Sequence, residues 1–297
     1  LQDGKARKRK PLPLSKLPNK NNELKFGSSK VSFGNEGITS WKLGRTELLA
    51  SGPALSVWRA PTDNDGIKGW SGQTQKALGR WQAAGLDQAK LNYASLEQTS
   101  NAFITRCTAK FKAGKILMTS HFGVSDAGEL LVKHHFDIDA SLPDLPRVGV
   151  RMILPKGFEQ FEWFGRGPFE TYIDRKCAGV VRHHVSTVKD QYVPYILPQE
   201  HGNLTDVRSL RLASRRASLT ILTDDSIEAS ASHYPQEILT PAFHTYDLTP
   251  DPRTFVCLDV QQRGLGGASC GPDTLPQYLV DKDTYELQYR IKVDNES

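Results

Sequence analysis

"AFITRCTAKF" (Ala102–Phe111), "KILMTSHFGV" (Lys115–Val124) and "ELLVKHHFDIDA" (Glu129–Ala140) follow one another with only short breaks between them. All three are rich in β-branched and aromatic side chains and read as strands, not helices. The pattern continues on both sides. Upstream, "ELKFGSSKVSFGNEGITSWKL" (Glu23–Leu43) places Leu24, Phe26, Val31 and Phe33 at period two, broken by Gly-Ser-Ser and Asn-Glu-Gly turns. Downstream come "RVGVRMIL" (Arg147–Leu154), "QFEWFG" (Gln160–Gly165), "ASLTILT" (Ala217–Thr223) and "TYELQYRIKV" (Thr284–Val293). One helix is expected, "QTQKALGRWQAAGL" (Gln73–Leu86), where Ala77, Leu78, Trp81 and Ala84 make one apolar stripe. Closely spaced strands without alternating helices predict an all-β fold of antiparallel sheets packed face to face. The absence of a fixed-period repeat weighs against a propeller.

The 297 residues suffice for a large core, and 38% hydrophobic with 24% charged residues suits a soluble protein. No run is long and apolar enough for a membrane helix, and no signal-peptide pattern opens the sequence. The polypeptide begins at Leu1 and not Met, as a piece of a longer chain would. The net charge of +5 is concentrated in "GKARKRKPLPLSKLPNK" (Gly4–Lys20), which contains no acid. Lacking interleaved aromatics, this tract reads as a basic, Pro-interrupted linker or tail over residues 1–22. Nucleic acid is therefore not the expected partner. A β domain is expected over residues 23–297. The four cysteines, Cys107, Cys177, Cys257 and Cys270, form no CxxC pair and suggest a reduced, cytoplasmic protein.

Chemistry is harder to find. "FGRGPFETYIDRKCAG" (Phe164–Gly179) combines glycines, acids and bases. A glycosidase needs two carboxylates flanking its sugar, and Glu162, Glu170, Asp174 and Glu200 are the acids nearest this motif. Their plainer reading is as ion-pair partners of Arg166, Arg175 and Arg182. Gly165 and Gly167 do not open a phosphate cradle, because Glu170 stands at the third glycine position and Pro168 lacks an N–H. They are expected instead to let the chain turn sharply after a strand. The doublets His134-His135 and His183-His184 point to opposite strand faces and cannot close on one metal. "PTDNDG" (Pro61–Gly66) lacks the distal Glu of a calcium loop and predicts an Asx-type turn. His201 beside Glu200 could serve acid–base chemistry, with capping or turn formation as the simpler role. Trp58, Trp70, Trp163, Tyr172, Tyr192 and Tyr195 could stack on sugars, although most aromatics in a β protein are core.

The ordered motifs "WRAPTDNDGI" (Trp58–Ile67), "GRWQAAGL" (Gly79–Leu86), "WFGRGPFETYIDRKCAG" (Trp163–Gly179), "YVPYILPQEHGNLTDVR" (Tyr192–Arg208) and "GLGGASCGP" (Gly264–Pro272) are similar to the C-terminal domain of family-2 β-galactosidases of the lacZ type. Some members carry this domain as a separate small chain. The resemblance runs from about Glu23 to Val293. It implies a large antiparallel β-supersandwich, galactose-mutarotase-like in shape. It also implies that both catalytic glutamates and the family's metals reside in an α/β barrel outside these residues. On that basis no catalytic residue, metal ligand or cofactor is expected here. The expected partners are a barrel domain or large subunit and galactosides, within a possible homo-oligomer, with neither membrane nor nucleic acid involved.

In one branch of that family a tryptophan in a Gly-Gly-Asp-Asp-Ser-Trp-Ser-Pro loop forms a platform for the sugar. The corresponding loop here, Gly266–Pro272, is one residue shorter, with Cys270 at the tryptophan's place and Ser269 before it. Another branch shows the same Ala-Ser-Cys-Gly-Pro pattern. The resemblance thus implies that Ser269 and Cys270 are substrate-binding residues without an aromatic stacking surface. Two other readings compete. One is an independent mutarotase-like enzyme using His201 and Glu200, and the other is a carbohydrate-binding module.

Overall fold

The computed structural model describes residues 21–296. The basic tract at 4–20 lies outside the described residues. The first strands are β1 (Glu23–Phe26), β2 (Ser29–Gly34), β3 (Gly37–Leu43), β4 (Thr46–Glu47), β5 (Ser51–Ser56), β6 (Lys90–Tyr93), β7 (Glu97–Gln98), β8 (Phe103–Lys110) and β9 (Lys115–Val124). The remainder are β10 (Leu130–Ile138), β11 (Arg147–Leu154), β12 (Gln160–Gly167), β13 (Val180–Thr187), β14 (Leu204–Ala213), β15 (Ala217–Ser232), β16 (Thr254–Gln262) and β17 (Thr284–Asn295). Every pairing among them is antiparallel, as the strand pattern predicts.

Strands β1 to β4 form a meander, and the other thirteen form one branched sheet. Strand β8 branches near one edge, pairing with β6, β7 and β9, and the central branch point is β15. Its first half, Ala217–Leu222, pairs with β17, and its second half, Glu228–Ser232, pairs with β16. Strand β14 accompanies both halves, with register shifts on either side of Val207 where the ribbon bends. Asp206, at this bend, has a left-handed φ of 55°, which a short polar side chain tolerates. Its carboxylate is held by Arg166 and Lys176.

Alternation fills the interior. Along β8 the odd-numbered residues from Phe103 to Ala109 are buried, and along β9 the even-numbered residues from Ile116 to Phe122. Phe33 stacks on Phe103 at 4.5 Å between centroids, and Trp163 lies between Phe161 and His184 at 5.1 and 4.9 Å. Each histidine doublet splits across its strand: His134 and His184 are buried, while His135 and His183 face outward.

Two expectations are corrected. The helix α1 spans only Ala77–Ala84, because the backbone is extended at Lys76, with ψ of 162°, and left-handed at Gly85, with φ of 76°. Before it, the Gln73 side chain bridges the N–H and carbonyl of Ile67 at 2.8 Å each. A second helix, α2 (Gln236–Leu239), and several 3₁₀ turns accompany it. Gly165 and Gly167 do not make a turn either; they lie within β12 and serve close packing. A Cβ on Gly165 would approach the Val207 Cα to 2.9 Å, and one on Gly167 would meet the Trp163 ring at 2.7 Å.

His134 is fully buried, with Nδ1 at 2.7 Å from Ser120 Oγ and Nε2 at 3.0 Å from Tyr289 Oη. Burial pushes its pKa down from 6.5 to about 3. The folded state therefore binds fewer protons than the unfolded chain between these values. The resulting stability is present above pH 6.5 and lost as pH falls toward 3. Urea midpoints measured across this window should decline less steeply for His134→Gln than for the natural chain.

Candidate functional site

Three buried guanidiniums organise one end of the sandwich, where the segment after β5, the segment after β12, the approach to β14 and the loop after β16 meet. Arg59 directs Nε and Nη2 to Asp65 at 3.0 and 2.6 Å, and its Nη1 donates to the Arg263 carbonyl at 2.6 Å. Arg263 in turn reaches Asp144, Asp273 at 2.7 Å and Thr274 Oγ1 at 2.7 Å. Both guanidiniums lie against the Trp81 indole of α1, 5.6 and 5.9 Å from its centre. Arg147 at the start of β11 bridges Asp259 of β16 and Glu200, the latter at 3.2 Å. Charges removed from water require such partners.

Asp65 also accepts from the Thr62 backbone N–H at 2.9 Å and its hydroxyl at 3.0 Å. "PTDNDG" is a turn as expected but not of the Asx type: the Asp65 carboxylate accepts from Thr62, three residues back, and the turn is wound around a buried arginine. Glu228 sits deeper, accepting from the Asn203 amide at 2.6 Å, while Gln262 donates to the Asn203 carbonyl oxygen at 3.0 Å. Burial pushes Glu228 up to about 8, against the pull of Asn203, and pushes Asp259 up to about 6, against that of Arg147.

On this base rests the loop carrying Ser269 and Cys270. Asp174 accepts from the N–H groups of Leu265 and Gly266 at 3.0 and 2.7 Å. Asn64 accepts from the Ser269 N–H at 3.1 Å and hydroxyl at 2.7 Å, and donates to the Gly266 carbonyl at 2.9 Å. Lys76 reaches the Ala268 carbonyl. Gly266 adopts a φ of 61° in a place where a Cβ would strike Thr274 at 2.7 Å. Ser269 is therefore fastened to Asn64, whereas the Cys270 side chain is exposed. All four cysteines are free.

The four candidate acids are each occupied. Glu162 pairs with Arg211 and His183, Glu170 with Arg175, Tyr195 and the Gly202 N–H, and Glu200 with Arg147. Asp174 caps backbone amides. Only the Glu170–Arg175 pair joins residues grouped together in the sequence reading. Arg166 turns to Asp206. His201 and Glu200 lie below the loop, both buried. His201 directs Nδ1 to the Gln199 carbonyl at 3.1 Å and leaves Nε2 without a partner. The cavity they border is about 30 Å³, room for a water but not for a hexose. Sequence reasoning missed Arg59, Arg147 and Arg263, since burial of an arginine leaves no periodic signal.

The sequence profile of the "Beta galactosidase small chain" family matches residues 25–291. The chain belongs to that family. Among relatives of this small-chain domain, a β-galactosidase of Psychromonas ingrahamii is 29% identical over 259 residues, 84% of this chain and 24% of the relative. One from Alteromonas mediterranea is 30% identical over 270 residues, 86% and 25% of the two chains. The chain thus spans about a quarter of the length of these relatives. A solved galactose mutarotase-like protein from Lactobacillus casei aligns over 92% of this chain and 99% of its own, with 11% identity and a TM-score of 0.46.

Removing one member of a buried ion pair leaves its partner uncompensated. Arg59→Met should therefore lower unfolding stability by about 3–5 kcal/mol in chemical denaturation. Glu228 has the opposite sign to His134. Its folded pKa exceeds 4.5, so its stabilisation is present below that pH and lost as pH rises through about 8. Glu228→Gln keeps an oxygen for Asn203 and should flatten this decline in thermal midpoints.

Proposed function

We propose that this chain is a non-catalytic part of a β-galactosidase, a retaining glycoside hydrolase. In this reading it completes the substrate site with the loop around Ser269 and Cys270 and supports assembly with a large chain. The observation that carries the reading is the fastening of that loop. Asn64 and Asp174, drawn from two separate family motifs, and Lys76, just before α1, hold its backbone while Cys270 remains exposed. A surface presented to a neighbour needs such preorganisation, because ordering a loose loop on binding costs free energy.

The two catalytic carboxylates and the family's metals belong, in this proposal, to the large chain, and this chain carries no cofactor. Among the described residues no group of three or more His, Cys, Asp or Glu is arranged to hold a metal ion. The substrates are galactosides and the assembled enzyme is a cytoplasmic homo-oligomer, without nucleic-acid or membrane partners. No helix among the described residues is long and apolar enough to cross a membrane. Cys270 supplies no aromatic face, so aglycone and acceptor sugars are held without stacking at this position.

The purified chain should not hydrolyse a chromogenic β-galactoside, and adding the large chain should produce turnover. Sustained turnover by the chain alone after repurification would overturn the reading. In the assembled enzyme, Cys270→Trp should tighten disaccharide and acceptor binding about fivefold, matching the roughly 1 kcal/mol that aromatic contact adds. Unchanged affinity for both would remove Ser269 and Cys270 from the substrate site.

A further inference from the structure

Of the six aromatic residues noted near polar loops, Trp70 is the one left largely in solvent, at 69% exposure. With Phe243, which is 48% exposed, it lines a cleft of about 420 Å³. Exposed aromatic rings on mobile loops would signify little, but these loops are fastened. The Gln73 amide donates to the Trp70 carbonyl at 3.0 Å and to that of Ile67 at 2.8 Å. Asp247 accepts from the N–H groups of Phe243 and His244 at 3.0 and 2.9 Å. Lys68 joins the two walls, its ammonium reaching the carbonyls of Pro198, Leu239 and Ala242. Gly69 closes the seam: a Cβ there would approach the Phe243 ring to 3.2 Å.

The polar character of the cleft narrows the ligand. No carboxylate lines it, and Lys68, its one cation, commits all three N–H donors to those carbonyls. Nothing in the lining pairs with an ionic ligand. The Gln82 amide and Thr74 hydroxyl also border the cleft, and neither makes a side-chain hydrogen bond among the described residues. Aromatic faces beside free amide and hydroxyl groups suit a neutral ring with one apolar face and a polar rim. A pyranose has that form, and the volume lies within the range of small-molecule sites.

We propose that the Trp70–Phe243 cleft is a sugar-binding site built wholly from this chain, separate from the Ser269–Cys270 loop. The proposal deepens the β-galactosidase reading only in taking galactosides as the first ligands to try. Trp70 provides the stacking face, Phe243 a second aromatic surface, and Gln82 and Thr74 the hydroxyl partners. In an enzyme whose Cys270 offers no platform, such a cleft supplies aromatic contact elsewhere on the same chain.

The test is a titration of the full chain with galactose and with lactose, following the indole N–H resonances of its five tryptophans. Trp70→Ala identifies the Trp70 resonance by its loss. The expected result is a saturable shift of that resonance, in the millimolar range typical of weak sites. Phe243→Ala should weaken binding about tenfold. Both variants at the cleft alter exposed side chains, and unchanged remaining resonances would show that the fold is retained. No shift of the Trp70 resonance up to about 100 mM of either sugar would overturn the proposal. So would a large chain that shields Trp70 from acrylamide quenching while sugar leaves the resonance unmoved, since the cleft would then be a contact between chains. Hydrolysis is a separate readout. A Trp70 shift without turnover in the assembled pair retains the cleft and rejects the β-galactosidase reading; turnover without a shift does the reverse.

Discussion

A guanidinium taken out of water must be met by carboxylates and carbonyls, and three such groups lie at one end of this sandwich. Arg59, Arg147 and Arg263 are each almost wholly buried. Their partners are spread along the chain, from Asp65 through Asp144, Glu200 and Asp259 to Asp273. Satisfying them draws together segments that, β11 and β16 apart, have no secondary structure of their own. The planar fork of arginine matters here, because Arg59 divides its donors between a carboxylate and the Arg263 carbonyl in one plane. A lysine could not span the same set.

The end of the sheet is consequently built in two tiers. Below are the ion pairs and the Glu228–Asn203–Gln262 chain, closed to ligands. Above are the loop bearing Ser269 and Cys270 and, separately, the cleft between Trp70 and Phe243. The lower tier imposes position on the upper. Asp65 is bound to Arg59, and the turn that contains Asp65 also presents Asn64 to Ser269. The four acids of the motif region, Glu162, Glu170, Asp174 and Glu200, are each held by partners of their own.

The strands were legible because burial on one face leaves a period of two, as in β8 and β9. The doublets His134-His135 and His183-His184 followed the same rule. The length of α1 was not legible, since its apolar stripe says nothing about the backbone at Lys76, which stays extended after the loop that Gln73 clamps. Gly165 was misread for a related reason. Its cause lies across the sheet at Val207, a contact that no local pattern reveals. The family motifs lie on segments that meet at this end of the sheet, yet the arginines that bring those segments together escaped notice. Ion pairing between residues as distant as Arg147 and Asp259 depends on topology, which composition and spacing do not encode.

Strand β15 also bears on how the chain comes together. Its hairpin with β14 closes over the short turn at Ser214, whereas Ser56 of β5 must find Gly149 of β11 across the intervening third of the chain. Closing the longer loop costs more chain entropy, and contacts of that range slow folding. The β14–β15 ribbon is both the cheapest long pairing to form and the one that later borders β12, β16 and β17. It is therefore suited to act as a template on which both halves of the sheet assemble, its bend at Asp206 and Val207 setting their relative orientation from the outset.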